Sequence, residues 1–219
     1  MDRRMFRVLT CLSGEHDWRL VLLAGLVCFV ASIAAVNIFH RAIASQARTR
    51  LIWIAIAGAA IGYGIWATHF IAMLAYEPGV PTGYGITLTA LSLAVAMMLT
   101  SCGLGLAASD SSGWRAPVGG AVIGAGIASM HYLGMWALEV PGHVVWSMDL
   151  VAASIVLGML FGYAALSVAV RHQDRWMSLV AALLLTLAIV THHFTAMGAV
   201  EIVPDPLQTP AALSLSPAF

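Results

Sequence analysis

Thr68-His69-Phe70-Ile71-Ala72-Met73, Met130-His131-Tyr132-Leu133-Gly134-Met135 and His192-His193-Phe194-Thr195-Ala196-Met197 spell one pattern, His-aromatic-x-small-Met, three times. The histidines recur at a constant interval of 62 residues, as do Glu77, Glu139 and Glu201. Gly58, Gly62 and Gly64 return at the same interval as Gly120, Gly124 and Gly126, whereas the third copy has Ala182, Thr186 and Ala188 there. Agreement over so many columns marks a true internal repeat.

The 219 residues around these motifs are 61% hydrophobic and 9% charged, with a mean hydropathy of +0.91, which is membrane composition. All ten basic residues are arginine and ten acidic ones balance them, so nothing suggests a nucleic-acid surface, and the expected partner is the lipid bilayer. Essentially uncharged runs long enough to span occur at Leu20–Phe39, Leu51–Tyr76, Gly85–Ser109, Ala116–Leu138, Leu150–Val170 and Trp176–Val200. The expected fold is therefore all-α, a polytopic transmembrane bundle of six helices built from three two-helix repeats. Residues 1–17 read as an interfacial segment, 18–206 as the transmembrane domain, and 207–219 as a tail or the start of a seventh helix. Cys11, Cys28 and Cys102 lack any metal or disulfide spacing and read as small apolar fillers.

Two spans per period give every copy the same orientation, so the repeats are parallel and related by a pseudo-threefold axis along the membrane normal. His and Met four apart lie on nearly one helix face, about 6 Å apart along the axis. The glycines ahead of each motif would permit close helix contact, which favours an inner triad of the second, fourth and sixth helices. The links opposite the motifs hold Arg41, Arg48, Arg50, Arg115, Arg171 and Arg175, and the links beside them hold none. The positive-inside bias then places the motifs near the periplasmic face, although Arg3, Arg4, Arg7 and Arg19 argue the other way.

Ionisable groups within a span mark a site by default. A single such histidine has an ordinary reading as a helix-to-helix hydrogen-bonding group, and a single Met as core filler. Three pairs at matched depth instead point to a shared metal centre of His69, Met73, His131, Met135, His193 and Met197. Imidazole and thioether without thiolate favour copper; zinc would use the imidazoles alone, and haem is the rival, since His/Met axial ligation is common. Glu77, Glu139 and Glu201 could tune these ligands from behind or simply end their helices in water. His192 and His143 are candidates for auxiliary ligands, while His16, His40 and His172 read as interfacial. A metal transporter, an electron-transfer subunit and a purely structural bundle remain alternative functions.

The motif residues resemble those of the bacterial MHYT sensor domain, named for Met-His-Tyr-Thr: Met130-His131-Tyr132 is the nearest copy, and Thr195 matches the fourth letter. Thr68 and His192 stand where the motif has Met, and Phe70 and Phe194 where it has Tyr. The resemblance implies a seven-helical sensory module of the bacterial inner membrane, with copper held by the matching His and Met residues and a diatomic gas such as O2, CO or NO bound through it. It also implies a cytoplasmic output in cyclic-di-GMP turnover, with any homodimer formed through the full-length protein. The chain itself is not expected to be an enzyme, and a seventh helix beyond Phe219 would be needed to reach that output.

Overall fold

The computed structural model describes residues 8, 14, 16–109, 113–205 and 214–215. Six long helices form the molecule: α1 (Trp18–Ala44), α2 (Ala47–Ala75), α3 (Ile86–Ala108), α4 (Arg115–Trp136), α5 (Met148–Arg171) and α6 (Arg175–Met197). Each matches one expected span to within a few residues. The shortest, α4 with 22 residues, is about 33 Å long, enough to cross a hydrocarbon core of about 30 Å. The outward surface carries large apolar side chains such as Leu22, Leu26, Ile52, Val156 and Leu160. Exposed Trp18 and Trp136 at one end and Trp114 and Trp176 at the other form the two aromatic belts of a membrane-crossing protein.

Consecutive helices pack side by side, and α1 closes the ring against α6. The even-numbered helices lie inside: 44, 61 and 44% of their span residues are buried, against 28, 33 and 28% for α1, α3 and α5. Their axial columns repeat with the sequence. Ala57, Gly119 and Ala181 form a small layer; Ile61, Ile123 and Leu185 the next; then Ile65, Ile127 and Ile189; then the motif histidines; then the motif methionines, all buried. Each layer is one turn beyond the last, because steps of four return to nearly the same face.

One expectation about packing is corrected. The motif glycines do not draw the inner helices together; they seat each inner helix on the outer ring. A Cβ at Gly62 would lie 2.7 Å from Met97 Cα on α3, and one at Gly124 would lie 2.5 Å from Met159 Cα on α5. Position 58 or 62 is about 100° around the helix from position 57 or 61, so it faces the flanking outer helix while its neighbour faces the axis. In the third copy the partner is α1, where the Cys28 thiol meets Thr186, Thr68 and Ser32. That polar contact fits a hydroxyl where the other copies need a glycine.

At the end bearing the motifs, the links form strands that residue patterning had shown only as turns: β1 (Gly83–Gly85), β2 (Leu138–Glu139), β3 (Gly142–Trp146), β4 (Val200–Pro204) and β5 (Ser214–Leu215). β1 lies between β2 and β5, and β3 pairs with β4 along five residues, from Gly142↔Pro204 to Trp146↔Val200. Gly79 makes the turn after Pro78 with a φ of 73°, a conformation that suits glycine. Apart from β5, Gly14, His16 and Asp17, the expected terminal segments lie outside the described residues or are represented only by Val8.

The cap repeats too. The residue that precedes each outer helix donates its backbone N–H to the carbonyl six residues after a motif histidine: Asp17 to Ala75 at 2.9 Å, Gly85 to Ala137 at 2.8 Å, and Ser147 to Ala199 at 2.9 Å. Just outside these bonds, His16 pairs with Tyr76, Tyr84 with Leu138, and Trp146 with Val200. The opposite end is held by arginine and histidine. Arg50 donates to Ser45 O at 3.0 Å and to Ala108 O at 3.3 Å, and His40 Nε2 donates to Ala169 O at 2.9 Å, which uses cations and donors where helix carbonyls end unpaired.

Candidate metal centre

The motif histidines lie near the ends of the three inner helices, so parallel repetition brings them together at one depth. His69, His131 and His193 are 2, 1 and 3% exposed, and one ligand atom from each lies within 4.8 Å of the others. The geometry is tighter than that limit. Nδ1 of His69 is 3.3 Å from Nδ1 of His193 and 3.2 Å from Nδ1 of His131. The rings meet edge to face, with centroids 4.9, 5.3 and 5.2 Å apart.

A neutral imidazole has one N–H and one acceptor nitrogen. His69 Nδ1 can therefore make one good hydrogen bond, not two, and at least one of the three converging Nδ1 atoms is left without a partner among the described residues. The Nε2 atoms of all three rings are also buried without a hydrogen bond among the described residues. Each unsatisfied buried group costs about 1–3 kcal/mol. The two Nδ1 distances from His69 are close to those around a cation: nitrogens about 2.0–2.1 Å from one ion in a trigonal or tetrahedral set are about 3.3–3.6 Å apart.

Met73, Met135 and Met197 lie one turn nearer the cap, 3, 3 and 1% exposed, in one cluster with Tyr84 and Leu138. All six residues expected at the site are thus buried on the inner helices, in a histidine layer and a methionine layer. The glutamates are spread differently. Glu77 and Glu201 are exposed, whereas Glu139 is half-buried with Oε2 unpaired among the described residues. His143 is apart from the centre, on β3, 3.7 Å from Asp205.

The aromatic after each motif histidine supports the cap. Phe70 meets Tyr84 at 5.4 Å, Tyr132 meets Trp146 at 5.4 Å, and Phe194 meets His16 at 5.6 Å. His16 therefore belongs to the cap over the centre, a position that reading the N-terminal segment as interfacial had missed. Its only sequence signal is that it stands just before an N-cap, where the other copies have Tyr84 and Trp146. Burial pushes the Tyr84 hydroxyl up to about 12, so this part of the cap stays uncharged at neutral pH.

Gly134 sets the position of His69. A Cβ there would come 2.5 Å from Nε2 and 3.0 Å from Cδ2 of His69, whereas Ala72 and Ala196 occupy the matching places in the other copies. Gly134→Ala is expected to tilt the His69 ring out of line and so to weaken about 10-fold whatever metal affinity the triad has, as displacement of a ligand's support does. Titration against a chelator of known affinity reads this directly, with helical content unchanged.

Comparison with known proteins agrees with the repeat. Residues 62–120 and 124–182, together more than half of the chain, match the family MHYT, described as a bacterial signalling protein N-terminal repeat. An uncharacterized signaling protein of Caulobacter vibrioides is 40% identical over 204 residues, covering 93% of this chain and 25% of that protein. The bifunctional diguanylate cyclase/cyclic di-GMP phosphodiesterase MucR of Pseudomonas aeruginosa is 36% identical over 196 residues, 87% of this chain and 29% of its own length. The cyclic di-GMP phosphodiesterase NbdA of the same organism is 35% identical over 205 residues, 90% and 26% respectively. The chain thus spans between a quarter and three-tenths of these relatives' length. No solved structure matches it. With the repeat, the six spans and these matches in agreement, the chain is a multi-pass membrane signalling domain and belongs to the MHYT family.

Proposed function

We propose that this chain is the sensory input of a longer signalling protein and binds copper through His69, His131 and His193, with Met73, Met135 and Met197 as further ligands. The observation that carries this reading is the triad itself: the Nδ1 atoms of His131 and His193 both lie within coordination distance of Nδ1 of His69, which cannot satisfy both. Stacked imidazole and thioether layers suit copper in both oxidation states, since Met favours Cu(I) and His accepts either. Zinc needs only the upper layer of nitrogens. Haem fits poorly, because its axial ligands stand on opposite faces of a wide flat ring and these imidazoles touch.

Copper at this depth would supply redox change and a coordination position for a small ligand such as O2, CO or NO. An apolar crevice of about 350 Å³ leads from the lipid-facing side of α1 to the centre, lined by Ala24, Gly25, Thr68, Ala72, His193 and Phe194 among others. Small apolar molecules dissolve in the bilayer, so this crevice offers them a path to His193. The transport reading lacks such support: beyond the histidines, the Ile65 and Ile61 layers close the axis with aliphatic side chains. The arginine-rich end would face the cytoplasm and the metal layers the periplasm, and by likeness to MucR and NbdA the whole protein would pass the signal to cyclic-di-GMP turnover.

Metal analysis of the chain purified in mild detergent tests the reading. Stoichiometric copper is expected. Protein that takes up no copper or zinc when offered either would overturn it, and an intense Soret band would transfer the site to haem.

A further inference from the structure

We infer that a cavity between α1 and α6, at the arginine-rich end of the bundle, binds the phosphate headgroup of an anionic phospholipid. It lies at the opposite end from the motif histidines and needs no metal there.

The cavity holds about 360 Å³ at the seam where α1 closes the ring, far more room than one water needs. Its lining changes with depth. Gln173 and Arg175 stand at the start of α6, and His40 and Asn37 stand one and two turns from the end of α1. Ile33 lies a turn deeper on α1, and Leu179 a turn into α6. Polar groups thus give way inward to apolar ones, the order of a lipid headgroup above its chains. Exposed Trp176 beside Arg175 marks this depth as the membrane interface.

The side chains of Asn37, Gln173 and Arg175 have no hydrogen-bonded or ionic partner among the described residues. Their neighbours are engaged. Asp174 Oδ1 accepts from Met177 N at 3.1 Å, Ser178 donates its hydroxyl to Asp174 O at 2.8 Å, and His40 Nε2 donates to Ala169 O at 2.9 Å. One cavity is therefore lined by a guanidinium and two amides with nothing in the protein to receive them. A guanidinium fork pairs with phosphate oxygens, and basic pockets between membrane helices are seats for anionic headgroups. Asn37 carries the argument furthest. It lies seven residues from the end of α1, about 10 Å inward, close to the edge of the hydrocarbon, where an unpaired amide is costly. Packing does not require it, since Leu99 and Phe161 occupy its place in the other copies, as Cys102 and Ala164 occupy that of His40.

Native mass spectrometry of the full chain in mild detergent, offered phosphatidylglycerol or phosphatidylcholine with the same acyl chains, counts bound lipids and gives their affinities. One phosphatidylglycerol is expected to bind about 10-fold tighter than phosphatidylcholine, and Arg175→Gln should weaken it about fivefold, the effect of one basic group at a membrane surface. Arg175 is exposed, so its replacement leaves the packing intact. Asn37→Leu, which keeps the charge and copies the second repeat, should weaken binding by a similar factor. Arg48→Gln removes an equal charge from an exposed site at the start of α2, outside the cavity, and should change little. Equal binding of the two lipids, or equal losses from Arg48→Gln and Arg175→Gln, would overturn the inference in favour of general attraction to the arginine-rich surface. Unchanged affinity in Asn37→Leu would overturn it as well. Displacement of the lipid by excess inorganic phosphate would make the cavity a site for free anions instead.

Discussion

Gly120→Val is expected to lower the stability of the bundle by at least about 3 kcal/mol, the upper range for forcing atoms into a packed interior. A Cβ at this position would overlap the Gly162 carbonyl oxygen on α5, and would lie 2.6 Å from the carbonyl carbon and 2.9 Å from Tyr163 Cα. All three obstacles are backbone, so no rotamer change relieves them and the two helices must separate. The reverse contact is also forbidden, since a Cβ at Gly162 would overlap the Gly120 carbonyl oxygen. Gly105→Ala is the matched control, because the nearest atom there is Ile54 Cγ2 at 4.0 Å. Thermal unfolding in detergent should show a large downward shift for Gly120→Val and almost none for Gly105→Ala. Equal shifts would mean that close contact between α4 and α5 is not what holds the inner helices.

Removing one triad histidine should have effects of opposite sign with and without metal. His131→Leu replaces an imidazole that is 1% exposed and has an unpaired buried Nε2. In metal-free protein the change removes a group whose burial costs about 1–3 kcal/mol, so the melting temperature should rise or stay level. In the presence of copper the wild type should be stabilised by about 2.7 kcal/mol at 100 times its dissociation constant, and His131→Leu should gain almost nothing. Its copper affinity should fall at least about 100-fold, beyond the cost of losing a supporting contact. Thermal shifts measured with and without copper decide the matter. A variant that loses stability equally in both conditions would make His131 a structural hydrogen-bonding residue.

Much of this was legible because two periods coincide. The 62-residue interval placed His69, His131 and His193 at one depth on parallel helices, and the four-residue step placed each methionine one turn away on nearly the same face. Burial of all six follows from those two facts. What the pattern could not show was direction around the helix relative to neighbours. Gly58 and Gly62 have the spacing of a helix contact, yet spacing alone does not say whether the partner is another inner helix or an outer one. His192 illustrates the same limit: one residue before His193, it is turned about 100° around the helix, and only the structure shows that Ser154 and His131 lie in that direction. The strands of the cap were hidden for another reason. Segments as short as Leu138–Glu139 and Gly83–Gly85 carry too few residues to show alternation, and they are strands only because each meets a partner more than fifty residues away in sequence, Gly83 with Glu139 and Tyr84 with Leu138.

The seating of each inner helix also fixes how many copies the domain can contain. Each inner helix sets its small-residue face not on the outer helix of its own copy but on that of the next, Gly62 against Met97 on α3, Gly124 against Met159 on α5 and Thr186 against Cys28 on α1. An open stack of such units could be lengthened or shortened one unit at a time, like a solenoid, with special sequences at its ends. A closed circuit has no ends. With α1 returning to α6, inserting or deleting a single 62-residue unit would change the angle every junction must subtend and leave the circuit unable to meet itself, so three is a number set by closure and the domain can vary in sequence far more readily than in copy count.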